Sequence, residues 1–204
     1  MDTEPLSGQA TLERKVVGAL ERLSQALRLL LWDAVNEHGL SPIQGQILIY
    51  IHDHREELCR VGHLAREFGV TPATVSDSVS ALEAKALVRR EPWSGDGRMV
   101  TLRLTEAGIV LVRALASWAE LLRESVADFP IEEQERSLLF LMRLIEGLQR
   151  RGVITVARMC ITCRFFRPDA HPEGYAPHHC ALLDKPLAIS TLRVDCPEHD
   201  PIPS

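Results

Sequence analysis

No apolar stretch of this sequence escapes charge for the ~18 residues that a membrane-spanning helix needs. The first residues also lack the basic-then-apolar order of a secretory signal, so the expected location is the cytoplasm and no membrane partner is expected. There is no glycine-rich flavin or nicotinamide fingerprint, no nucleophile with a companion base, and no paired-carboxylate arrangement. These absences point away from an enzyme. Positive charge is not in excess either: the formal net charge is -5, which excludes an overall polycation and leaves nucleic-acid binding to depend on local charge. Aromatic residues make up only 5% of the chain. Cysteine is scarce over the first 159 residues, where Cys59 stands alone and reads as a small buried apolar residue.

Apolar residues are plentiful at 46%, enough over 204 residues for one medium domain and a small appendage. Charge is unevenly spread. Lys and Arg outnumber Asp and Glu only over residues 60–104, by 7 to 5, whereas the acidic residues lead in 1–59, 105–159 and 160–204. Val16, Leu20, Leu23, Leu27, Leu30 and Leu31 fall on one helical face between Thr11 and Asn36, and Gly39 suits a stop. Ser41-Pro42 reads as N-cap and first residue of a helix through Ile43, Ile47, Leu48 and Ile51.

A short helix over Val61–Phe68 stops at Gly69, and Thr71-Pro72 opens another helix two residues later, which makes a helix-turn-helix. In that second helix Val75, Val79 and Leu82 share the buried face. Thr71, Ala73, Thr74, Ser76, Asp77 and Ser80 lie mostly on the other, a small polar surface that suits a major groove. Strands over Leu87–Glu91 and Met99–Leu104 flank the turn-forming run 92–97, giving a hairpin wing with Arg98 beside its tip. Thr105 caps a long helix expected to reach about Asp128. Pro130 breaks it, and Ile131–Arg151 forms the last one. The first helix and the last two carry more apolar surface than so small a reader can cover, which points to a homodimer interface.

The order of these parts resembles the MarR family of winged-helix regulators. The carriers are Leu40-Ser41-Pro42-Ile43-Gln44-Gly45-Gln46, Val61-Gly62-His63-Leu64-Ala65, Thr71 to Leu82 followed by Leu87-Val88-Arg89-Arg90, Asp96-Gly97-Arg98 and Leu104-Thr105-Glu106-Ala107-Gly108. The resemblance implies a homodimeric repressor on a pseudo-palindromic operator of double-stranded DNA. It makes Arg98 the minor-groove contact, with Arg89 and Arg90 on phosphates. Asp77 departs from the usual basic or neutral residue, either as an acceptor for cytosine or as a charge that weakens phosphate binding. Relatives commonly take a small-molecule effector, an aromatic acid, where dimer and reader meet. Trp32, His38, His52 and His54 fall in that region, where core packing or a solvated surface is the simpler expectation.

Residues 152–204 differ in kind, being proline-rich, poor in helical periodicity and home to Cys160, Cys163, Cys180 and Cys196. The spacing C-x2-C-x16-C-x15-C in a cytoplasmic protein argues for a metal centre before disulfides, and four soft thiolates suit zinc or an iron-sulfur cluster. The run through Phe165, Asp169, Leu182, Lys185 and Ile189 resembles high-potential iron-sulfur proteins, which implies a [4Fe-4S] cluster held by the four cysteines. Zn2+ stays open as the alternative, because His171, His178, His179 and His199 allow a Cys3His shell. The expected architecture is mainly α, an α+β winged helix-turn-helix with a helical dimerisation region and a small irregular metal-binding module. It divides as 1–40, 41–104, 105–151 and 152–204. The expected function is a DNA-binding transcriptional regulator whose cluster senses redox or iron status by moving the C-terminal segment against the dimerising helices. The other candidates are a regulator with a structural zinc staple and a separate effector, or an electron-transfer protein.

Overall fold

The structure, a computed structural model, describes residues 11–93 and 95–202. Helix α1 (Leu12–Asn36) is followed by α2 (Pro42–Asp53), whose start is fixed by a capping box: the Ser41 side chain takes the N3 amide and the Gln44 side chain takes the Ser41 N–H at 3.0 Å. Gly45 lets α1 and α2 approach, since a Cβ there would lie inside contact with Val35. Helices α3 (Val61–Phe68) and α4 (Pro72–Ala84) are joined by a turn in which Gly69 takes the left-handed φ of 63°, and the Thr71 hydroxyl accepts from Thr74 N–H at 3.1 Å. Leu64, Val75, Val79 and Leu82 are fully buried and join Val35, Ile47 and Leu48 in one core.

Strands β1 (Val88–Trp93) and β2 (Asp96–Leu104) pair antiparallel, Val88 opposite Leu104 and Arg90 opposite Leu102. The strands run further toward the tip than the turn-forming residues suggest: Pro92 and Trp93 belong to β1, on an edge where the missing proline N–H costs no ladder bond. The run 92–97 is therefore mostly strand, and its Ser94 lies outside the described residues. At its base the wing is clipped to the loop before α3. Leu102 N–H donates to the Cys59 carbonyl at 2.7 Å, and the buried Thr101 hydroxyl reaches the carbonyls of Glu56 and Cys59 at 2.8 and 3.1 Å.

The long helix expected from Thr105 to Asp128 is divided. Helix α5 (Glu106–Leu115) passes through a 3-10 turn at Ala116–Ala119 into α6 (Glu120–Ala127). The tightened turn brings Trp118 onto the core, and side chains take the carbonyls it frees: Arg123 donates to Ala116 at 3.1 Å and Ser117 to Ala114 at 3.4 Å. Helix α7 (Ile131–Arg150) ends one residue short of expectation. None of the described helices is long and apolar enough to cross a membrane.

The C-terminal residues form a three-stranded antiparallel sheet of β3 (Phe166–Arg167), β4 (His178–Cys180) and β5 (Lys185–Leu187), in that order, with 3-10 turns at Cys160–Thr162 and Ile189–Thr191. A second core of Met142, Ala157, Met159 and Leu192 packs this module against α7. The module also touches the helix-turn-helix, a neighbour that its position after the last long helix did not suggest. Thr155 donates to the Arg66 carbonyl at 2.6 Å, and Arg158 reaches Glu67 at 3.0 Å.

Candidate functional site

Two sites are built on this frame. The first is the outer face of α4 with the wing. Thr71, Ala73, Thr74, Asp77 and Ser80 are exposed, and Ser76 is half-buried. Several hydroxyls are engaged locally, Ser80 donating to the Ser76 carbonyl at 2.9 Å and Thr71 and Thr74 sharing a bond at 2.8 Å, so the face is rigid and small. Each of the three arginines expected to meet DNA has an acid beside it: Arg89 pairs with Glu91 at 2.6 Å, Arg90 with Glu83, and Arg98 with Asp96 at 3.3 Å. The Arg98 side chain is nevertheless 92% exposed, so phosphate or a base edge can reach it. Arg60, which spacing did not single out, links reader to wing. Its guanidinium lies 5.3 Å from the Trp93 ring centroid and its Nε donates to the Glu57 carbonyl at 2.8 Å.

Of the residues considered for an effector, His52 and His54 border one cleft with Glu56, Arg89 and Arg103, and Trp32 and His38 stand apart from it. Trp32 and His38 are exposed. His52 borders a cleft between α2 and α5 with Arg113, Trp118 and Arg123. His54 stacks on Tyr50, centroids 3.7 Å apart and planes at 9°, and pairs with Asp195 at 2.5 Å, a contact invisible to local pattern. Burial pushes the Tyr50 hydroxyl up to about 12. Burial and the neighbouring Glu56 and Glu57 carboxylates push the Cys59 thiol up to about 11, and this 1% exposed cysteine is the inert apolar residue expected.

The second site is the cysteine module. Cys160, Cys163, Cys180 and Cys196 line one apolar space with Phe165, Phe166, Leu182, Leu183 and Leu187, and all five cysteines of the chain are free thiols. The 3-10 turn places the first pair: Cys163 N–H donates to the Cys160 carbonyl at 3.0 Å. Strand β4 carries Cys180, and Cys196 is held by its own N–H on the Arg158 carbonyl at 2.7 Å. Arg193 N–H donates to Cys160 Sγ at 3.2 Å and its guanidinium stands 3.8 Å from Cys196 Sγ, so two sulfurs face donors of one residue, an amide and a cation. Burial raises the Cys160 thiol and the other three cysteines add to the rise, a charge problem that a bound cation would relieve.

The four candidate histidines do not line this space. His199 contacts the Thr162 hydroxyl at 3.0 Å, and burial lowers its pKa. His171 meets His179 at 3.1 Å, and His178 accepts from Asp169 N–H at 3.2 Å. Among the described residues no three His, Cys, Asp or Glu groups converge on a point that would hold a single ion. Four thiols bordering one apolar space are the soft donor set that zinc or an iron-sulfur cluster takes.

The MarR family model matches residues 38–99, from the end of α1 to the wing. The HTH-type transcriptional repressor NicR of Pseudomonas putida is 30% identical over 114 residues, which span 55% of this chain and 71% of NicR. Among solved structures, Staphylococcus aureus MepR in complex with DNA is 25% identical with a TM-score of 0.57, covering 69% of this chain and 100% of MepR. CouR of Rhodococcus jostii, bound to p-coumaroyl-CoA, shares the fold at 20% identity and a TM-score of 0.55, covering 69% and 94% of the two chains. The cysteine module lies beyond the matched family segment. The capped helix-turn-helix, the wing and the extent of the NicR match together establish that the chain belongs to the MarR family of DNA-binding transcriptional regulators.

Proposed function

We propose that this protein is a repressor that binds a pseudo-palindromic operator as a homodimer, with a DNA affinity that follows the state of a [4Fe-4S] cluster. Cys160, Cys163, Cys180 and Cys196 would hold the cluster. One observation carries the cluster assignment: four thiols from three stretches of chain border a single apolar space. When bound, such a centre supplies one-electron chemistry and sensitivity to oxidants. The chain's own contribution is to desolvate the sulfurs with Phe165, Phe166, Leu182, Leu183 and Leu187, and to direct Arg193 donors at two of them, both of which tune such a site.

Support for the dimer comes from surface that one chain leaves uncovered. On α1, Leu12, Val17, Leu23, Leu29 and Trp32 are exposed, and Phe140 and Leu141 are exposed on α7. Exposed apolar surface on two long helices calls for a partner, and a two-fold axis would also set two α4 helices toward successive major grooves. The likeness to MepR, solved in complex with DNA, supports DNA as the partner.

The test is operator binding by oxygen-free protein, with the duplex selected from a random pool. A particle of two chains is expected by light scattering, with affinity differing about 5- to 150-fold between cluster-loaded and chelator-stripped protein, the span of ordinary coupling energies. A monomer on DNA, or equal affinity in both states, contradicts the proposal.

A further inference from the structure

We infer that the strap formed by residues 193–200 couples the four-cysteine site to the DNA reader through Arg158, so that releasing Cys196 from a bound centre slackens the C-terminal end of α3. This inference rests on the four-cysteine site proposed above.

Arg158 is where three parts of the molecule meet. Its carbonyl accepts the Cys196 N–H at 2.7 Å. Its guanidinium, on a side chain only 15% exposed, grips Asp195 with Nε at 2.7 Å and Nη2 at 3.2 Å, and sends Nη1 to Glu67 of α3 at 3.0 Å. The same guanidinium lies 5.9 Å from the Tyr50 ring centroid, and His54 takes Asp195 from the α2 side. Three residues further on, Glu198 pairs with Arg55 at the end of α2. The strap thus gives a thiol at Cys196 and grips the reader on both sides of it.

The attachment falls at a sensitive place. Thr155, just before Arg158, donates to the Arg66 carbonyl at 2.6 Å, serving one of the acceptors that a helix end leaves open. Beyond Arg66 and Glu67 only Phe68, Gly69 and Val70 precede Thr71, the cap of α4. The angle between α3 and α4 is therefore set within a few residues of the contact. A two-point guanidinium-carboxylate contact holds one geometry and fails over small displacements, so strap movement breaks it rather than stretching it. The strap is held to the module at its two ends, by Cys160 N–H on the Arg193 carbonyl at 3.0 Å and Arg164 N–H on the Asp200 carbonyl at 2.9 Å; between them Cys196 is tied by its own N–H, by His199 N–H on its carbonyl at 3.1 Å and by the long Arg193 contact.

The experiment uses the full-length dimer, purified without oxygen, as wild type, Arg158→Met and Asp195→Asn. Both acids that Arg158→Met leaves behind are partly exposed, at 24% and 45%, and Asp195→Asn changes no volume, so one of the two variants will fold. Iron content, amide exchange of residues 63–70 and operator affinity are read with and without chelator treatment. In wild type, stripping the centre should speed exchange of these amides about 5- to 150-fold and shift operator affinity. In the variants, iron per chain should stay at the wild-type value while exchange is fast in both states and the affinity difference closes. Iron-loaded wild type whose 63–70 exchange ignores stripping, or variants that keep the wild-type difference, would overturn the coupling alone. Protein holding neither iron nor zinc would overturn the four-cysteine site and the coupling together.

Discussion

Gly108 lies directly under the Leu87 carbonyl, so close that a Cβ would sit inside the oxygen's contact radius. The neighbouring Thr105 hydroxyl donates to the Ala86 carbonyl at 2.6 Å and accepts from Gly108 N–H at 3.0 Å. Together these contacts fix where α5 leaves the wing, the path from the reader to the later helices. The glycine is there for clearance, since its φ is not in the left-handed region.

Gly108→Ala should therefore cost about 1–3 kcal/mol of stability by forcing backbone apart. Denaturant unfolding of the two proteins measures it. An unchanged midpoint would mean that α5 can shift freely against β1, contrary to the packing described.

Arg98→Ala should weaken operator binding by about 1–3 kcal/mol, roughly 5- to 150-fold, and leave folding intact. The Arg98 side chain pairs with Asp96 and is almost fully exposed, so its loss should touch folding little. Fluorescence anisotropy over a salt series checks this. A variant binding like wild type would remove the wing from the interface.

Cys59 should resist thiol reagents at pH 8 in native protein, whereas the four module cysteines react once a chelator has been added. With its thiol raised to about 11, Cys59 is about one part in a thousand thiolate at that pH, and it is buried as well. Mass spectrometry of alkylated peptides, with and without denaturant, separates the two classes. Labelling of Cys59 alongside the others in native protein would contradict the burial described.

The reader was legible because its signals are local. Ser41-Pro42, Gly69 and Thr71-Pro72 each fix a helix end through their own side chains or φ, and the structure places α2, α3 and α4 accordingly. The 3-10 turn at Ala116–Ala119 was not legible, because apolar spacing continues through it and only the packing of Trp118 on the core distinguishes it from helix. Pro92 and Trp93 carried turn chemistry that pairing with β2 overrides.

For the candidate site, the cysteines could be found by spacing, but their surroundings could not. Arg158, Asp195, His54 and Glu67 come from distant parts of the chain, and no periodicity connects a charge at the C-terminal end to a histidine at the end of α2. Arg60 escaped notice for a similar reason, since its partner Trp93 stands on the wing.

The central claim is the centre that the four cysteines hold, and its most direct test is the visible spectrum of oxygen-free protein, with iron, sulfide and zinc analysis. The account predicts a brown protein absorbing broadly near ~400 nm with about four irons per chain. A colourless protein with one zinc per chain would contradict it and make the module a structural staple.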